Sequence, residues 1–331
     1  MRHAFRLIFI VVAAIVVMVP MLGVGAYAQD NPYREDGWAK LPDGRKWGST
    51  SAIDVERNGN VWVFERCGGN TCAGSNVPPV VQLDPSGKFL RAFGAGMFVF
   101  PHGIHLDREG NVWVADAQGK DGKGHQVVKF SSEGRVLLVL GKAGVAGEGQ
   151  DTFNQPSDVV TGPSGDIFVA DGHGGDSNAR IVKFSKDGKF IKAWGKKGTG
   201  PGEFNTPHGV AFDSQGRLFV ADRGNSRIQI FDQDGKFLEE WKQFGRPSGI
   251  FIDANDIMYV ADHQSDAKLN PGFKRGIRIG SAKDGSVKVL IPGLGTAPET
   301  QSVGEGVAAD AMGNVYMAET GGMTVRKYVS K

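Results

Sequence analysis

GVAFDSQGRLFVADR, residues 209–223, holds two short apolar runs, Val210–Phe212 and Leu218–Ala221, on either side of a turn ending in Gly216. Runs of this length, rich in branched and aromatic residues and joined by turn formers, read as a β-hairpin. The same wording returns in AIDVERNGNVWVFER from Ala52, GIHLDREGNVWVADA from Gly103, DVVTGPSGDIFVADG from Asp158, GIFIDANDIMYVADH from Gly249 and GVAADAMGNVYMAET from Gly306. A second hairpin stands between copies, clearest in ARIVKFSKDGKFIKAWG (179–195) and SRIQIFDQDGKFLEEW (226–241). Four antiparallel strands make one propeller blade, so six copies predict an all-β, six-bladed β-propeller about a central channel.

Composition agrees, since 49 glycines and only 9% aromatic residues suit many tight turns between short strands. The last copy is followed by the single strand MTVRKYVSK (323–331), so the N-terminal segment GWAKLPDGRKWG (37–48), which resembles a fourth strand, is expected to close the ring. Residues 29–331 then form one propeller domain. Ahead of it, Arg2, His3 and Arg6 precede an apolar run from Leu7 that ends in Ala26-Tyr27-Ala28, the layout of a signal peptide, long enough to remain as an uncleaved anchor. The propeller is therefore expected to be secreted or periplasmic, with no membrane contact unless that segment is retained.

Lys and Arg number 38 against 36 Asp and Glu, and residues 1–28 carry two arginines and no acid, so the mature chain is formally neutral. That argues against nucleic acid as a partner. A monomer is expected. Cys67 and Cys72, in RCGGNTCAG, suit a loop-closing disulfide in an oxidising compartment. GKAGVAGEGQ (141–150) is a loop between blades and no phosphate cradle, because no lysine-serine pair and helix follow it.

The position before the first strand of each copy reads Ser51, His102, Ser157, His208, Ser248, Glu305. First strands line a propeller's channel, so these six form a ring near one mouth. Alternate blades of six stand about 120° apart, which lets His102, His208 and Glu305 converge on the axis. Two imidazoles and one carboxylate with an open position suit catalytic zinc, and also non-haem Fe(II). A second ring, after the last acid of each hairpin, contains Arg66 and Arg223, whose planar guanidinium groups fit a carboxylate. The acids themselves, Glu65, Asp116, Asp171, Asp222, Asp262 and Glu319, recur in every copy and read as turn caps. His173, in the glycine-rich VADGHGGDSNAR, is a candidate general base at the same mouth.

The wording across 198–231 resembles the NHL repeat. PHGIHLDREGNVWVAD, NQPSDVV, FVADGHGGDSNARIVKFSKDGKFIKAWG, FNTPHGVAF and FVADRGNSRIQIF further resemble the catalytic domain of peptidyl-α-hydroxyglycine α-amidating lyase, itself a six-bladed propeller. The resemblance implies zinc on His102 and His208, with a third family histidine falling on Glu305, and substrate positioning by Arg66 and Arg223. The family's catalytic tyrosine falls on His173. An aspartate associated with a structural calcium falls on Gly306, which removes a ligand from that site. The implied reaction splits the C–N bond of a small substrate or peptide bearing a carboxylate. Two other readings stand beside it: a non-catalytic exported propeller that binds a protein or small ligand, and a lactonase-like or streptogramin-lyase-like propeller enzyme using a divalent ion.

Overall fold

A computed structural model describes residues 31–293 and 304–331. In it, six four-stranded antiparallel sheets stand around an axis. The first strand among the described residues, β1 (Tyr33–Asp36), joins the last blade. Blade one holds β2 (Thr50–Val55), β3 (Val61–Glu65), β4 (Val80–Leu83) and β5 (Phe89–Phe93). Blade two holds β6 (Pro101–Leu106), β7 (Val112–Lys120), β8 (Lys123–Phe130) and β9 (Val136–Leu140), and blade three β10 (Pro156–Thr161), β11 (Ile167–Asp171), β12 (Arg180–Phe184) and β13 (Phe190–Trp194). Blade four holds β14 (Pro207–Phe212), β15 (Leu218–Asp222), β16 (Arg227–Phe231) and β17 (Phe237–Trp241). Blade five holds β18 (Ile250–Ile252), β19 (Ile257–Asp262), β20 (Gly276–Ser281) and β21 (Val287–Pro292). Blade six holds β22 (Gly306–Ala309), β23 (Val315–Glu319) and β24 (Thr324–Ser330), with β1 outermost. The signal-peptide segment 1–28 lies outside the described residues.

The strands are short because each packs between two neighbouring blades and must be apolar on both faces. Thus β3, β11 and β15 are buried along their whole length, while the outer strand β13 alternates between half-buried and exposed residues. The inner hairpins turn on a residue in the left-handed region: Gly59, Gly110, Gly165, Gly216 and Gly313, all with φ near +80°. Blade five lacks that glycine, and Asp256 takes the same conformation at φ +62°, its carboxylate accepting the Ser214 backbone N–H at 2.8 Å.

The cores lie between blades, as with Trp62 and Phe64 of blade one packed against Val112, Val128 and Phe130 of blade two. The ring closes on β1, whose four residues pair antiparallel with Lys327–Ser330 of β24. This corrects the expectation that residues 37–48 supply the closing strand. That segment covers the seam between blades six and one: Trp38 meets Tyr316 edge-on at 5.0 Å and donates its indole N–H to the Pro85 carbonyl.

At the end of the second strand of each blade the recurrent acid is buried, and among the described residues those of blades one to five cap the lead-in to an inner strand, as expected. Asp116 accepts the N–H groups of Val99 and Phe100, Asp171 that of Asn154, and Asp222 that of Asn205 at 2.7 Å. Asp222 also takes Arg227 Nε at 2.8 Å, with both side chains almost fully buried. Asp222→Ala leaves the Asn205 N–H and the Arg227 Nε without their acceptor, while Arg227 keeps its ion pair with Glu240 at 2.8 Å; the loss should cost about 1–3 kcal/mol, read as a lower urea midpoint with unchanged slope.

Candidate metal centre at the channel mouth

In blades one to four the ring residues are aimed inward by a break in pairing. In blade two Pro101 pairs with Asp116 and Gly103 with Ala115, leaving His102 at a β-bulge; register slips likewise at Ser51, at Ser157, and across His208-Gly209. A bulged residue leaves the ladder and its side chain is re-aimed, here toward the axis. The following ring is mostly glycine for want of space. A Cβ on Gly306 would stand 2.7 Å from the Ser51 carbonyl oxygen, and one on Gly249 2.7 Å from that of Glu305. No aspartate fits at 306 without movement of the backbone facing it.

Serine and histidine alternate because they stitch neighbouring blades. Ser51 Oγ donates to the Pro101 carbonyl at 2.9 Å and Ser157 Oγ to that of Pro207 at 2.7 Å. His102 Nδ1–H donates to the Ser157 carbonyl at 2.6 Å, and His208 Nδ1–H to that of Ser248 at 3.2 Å. These bonds fix the tautomer and leave each Nε2 lone pair facing the axis, as metal-binding imidazoles require.

Glu305 reaches the same point. Its Oε1 lies 3.0 Å from His208 Nε2, 3.7 Å from His102 Nε2 and 3.3 Å from Arg223 Nη1. Arg66 Nη2 approaches Oε2 at 3.9 Å. Burial alone raises this carboxyl, but contact with His102 and His208 outweighs it and holds Glu305 ionised, well below its ordinary pKa. Burial, then the Arg223 charge, lowers His208 well below its ordinary value, and burial lowers Arg223 to about 10. With Arg223 donating to His208 Nε2 at 2.7 Å, a lone pair and a carboxylate oxygen confront each other 3.0 Å apart. The buried Nε2 of His102 has no hydrogen-bond partner. A neutral His208 imidazole, an unpartnered His102 Nε2 and an ionised Glu305 facing one point are what a divalent cation needs, and these residues fit zinc.

His173 is brought into this cluster. One donor atom from each of His102, His173, His208 and Glu305 lies within 4.8 Å of the others. The glycine-rich loop that carries it is pinned: Ser177 Oγ accepts the N–H of both His173 and Gly174 at 2.9 Å, and a Cβ on Gly172 would strike the Asn178 carbonyl. Arg66 and Arg223 both reach the mouth. Arg66 stacks 3.6 Å above Phe100, donates through Nε to the Pro101 carbonyl and through Nη1 to Asn70. Cys67 and Cys72 form the expected disulfide, closing the loop that carries Asn70. Phe100 and Asn70 were missed in the sequence, although Phe100 stands two residues before His102.

An NHL repeat profile matches residues 204–231. NHL repeat-containing protein 3 of Homo sapiens is 34% identical over 315 residues, covering 90% of this chain and 84% of that protein. The chain belongs to the NHL-repeat family. Over a shorter span this NHL propeller is 32% identical to a probable peptidyl-alpha-hydroxyglycine alpha-amidating lyase of Caenorhabditis elegans, with 54% of each chain covered. Its fold matches a streptogramin B lyase structure at TM-score 0.56 and 13% identity, covering 90% of this chain and 98% of the other.

Below the glycine ring the channel of the NHL propeller opens to about 240 Å³ around Asp54, His105 and Asp158. Asp54 accepts the Leu106 N–H and Asp158 that of Val210, each tying its blade to the next. Burial pushes both carboxyls up to about 7. The folded state then binds more protons than the unfolded chain between about pH 4 and 7, so each lowers stability as pH rises through that window. An Asp54→Asn/Asp158→Asn variant should show a flatter dependence of unfolding free energy on pH there than the wild type, measured by urea titration at successive pH values.

Proposed function

We propose that this protein is an extracytoplasmic metal-dependent lyase of amidating-lyase type, cleaving a C–N bond in a small or peptide substrate that carries a carboxylate. The observation that carries this is the meeting of two buried arginines with a three-ligand set, His102, His208 and Glu305, at one mouth. The Cys67–Cys72 disulfide supports the compartment.

Arg66 and Arg223 would bind the substrate carboxylate. Arg223 Nε is buried without a partner, a donor awaiting an acceptor, and Arg66 is held to one orientation by Phe100, Asn70 and the Pro101 carbonyl. Zinc on His102, His208 and Glu305 would act as a Lewis acid toward the substrate hydroxyl oxygen. In the balanced reaction the α-hydroxyl loses its proton, the C–N bond breaks and nitrogen takes the pair and a proton, giving an amide and glyoxylate. Gly103, Gly209, Gly249 and Gly306 crowd the throat below, so the channel offers water no broad route from beneath.

A second reading, a non-catalytic binding propeller, draws on the near full-length similarity to NHL repeat-containing protein 3 and on Glu305 and His173 standing where the lyase resemblance has histidine and tyrosine. One assay separates them. The zinc-loaded protein should release glyoxylate from an α-hydroxyglycine-terminated peptide, and Arg66→Gln or Arg223→Gln should raise KM at least ~10-fold, the cost of losing about 1.4 kcal/mol of binding. Full zinc loading with no glyoxylate released would exclude the lyase and leave the binding propeller.

A further inference from the structure

We infer that His173 is a fourth protein ligand of the metal, so that the ion is held by three imidazoles and one carboxylate; this rests on the metal-dependent reading above. The sequence cast His173 as a base standing beside a three-ligand site, and the geometry places it within that site. Its ring centroid lies 4.5 Å from that of His102 and 5.2 Å from that of His208, while the His102 and His208 rings are 4.6 Å apart. Three imidazoles thus form one triangle over Glu305, each pair at similar spacing. Donors around one tetrahedral ion with bonds of about 2.0–2.2 Å stand about 3.3–3.6 Å apart. The four donor atoms here all lie within 4.8 Å of one another, so closing them on one ion takes a side-chain adjustment of little more than an ångström.

Two buried nitrogens complete the argument. His102 Nε2 and His173 Nε2 both lack a hydrogen-bond partner, and they belong to rings in edge contact. An unsatisfied polar atom in a protein interior needs an explanation, and two on rings that meet edge to edge, beside a buried carboxylate, have a common one in a shared cation. A general base has to present its lone pair to the substrate, whereas the His173 Nε2 is buried. The loop also spends structure on holding this ring: Ser177 Oγ ties down two successive N–H groups, and Asn178 is anchored through Nδ2 to Asp171 and to the Gly147 carbonyl.

The consequence concerns coordination number. Four protein ligands fill a tetrahedral zinc site, so substrate can reach the ion only as a fifth ligand. A metal that readily accepts five or six ligands suits this site better than it would suit a three-ligand one.

X-ray absorption on zinc-loaded protein counts the imidazoles directly, and competition with a chromophoric chelator gives the affinity. Three imidazoles in the wild type, two in His173→Phe, and zinc bound at least ~10-fold more weakly, the lower bound for losing even an outer partner of a ligand, are the expected results. Two imidazoles in the wild type, unchanged in His173→Phe, would overturn the fourth ligand and leave the three-ligand lyase site standing. No zinc bound by the wild type at all would overturn both. Should His173→Phe lose its circular-dichroism melting transition, the wild-type count decides alone.

Discussion

Among the described residues of blades one to five, a carboxylate with almost no solvent exposure has to find backbone N–H groups, and the donors it finds belong to the segment leading into an inner strand. Glu65 takes Gly48, Asp116 takes Val99 and Phe100, Asp171 takes Asn154, Asp222 takes Asn205 and Asp262 takes Arg246. Each capped residue lies two or three positions before a ring residue. A buried carboxylate left without donors would be very costly, so the start of each channel strand is held in place by its own blade. In blades one to four a bulge then swings the ring side chain to the axis. The histidine–glutamate cluster is a by-product of how a propeller satisfies its buried acids, with histidine or glutamate placed where the pattern would accept serine.

The ring illustrates how far sequence reasoning reaches. Blade number, the equivalence of Ser51, His102, Ser157, His208, Ser248 and Glu305, and the turn-capping acids are all periodic, and period survives translation into structure. The convergence of His102, His208 and Glu305 followed from that period alone. The Ser–His alternation had a cause that no single copy displays: hydroxyl and imidazole donors serving the carbonyl groups of the next blade.

What the sequence concealed is aperiodic. The closing strand Tyr33–Asp36 has the pattern YRED, with no apolar alternation, and it is held by backbone pairing and by Arg326 contacting Glu35. GWAKLPDGRKWG looks more like a strand, yet its tryptophan serves as a plug between blades. His173 was legible as a histidine at the right mouth. Its fixed position was not, because glycine-rich composition suggests freedom, and the Ser177 and Asn178 bonds that remove it are particular to this loop.

The throat has one more consequence. Where the glycine ring brings the inner strands together, the space beneath His102, His208 and Glu305 is about 50 Å³, room for water and for nothing the size of an amino acid. The propeller is therefore a well with a floor, and the cavity around Asp54 and Asp158 lies on the far side of it. Anything larger than water that binds at the ring therefore enters and leaves on the side of the ring away from the throat.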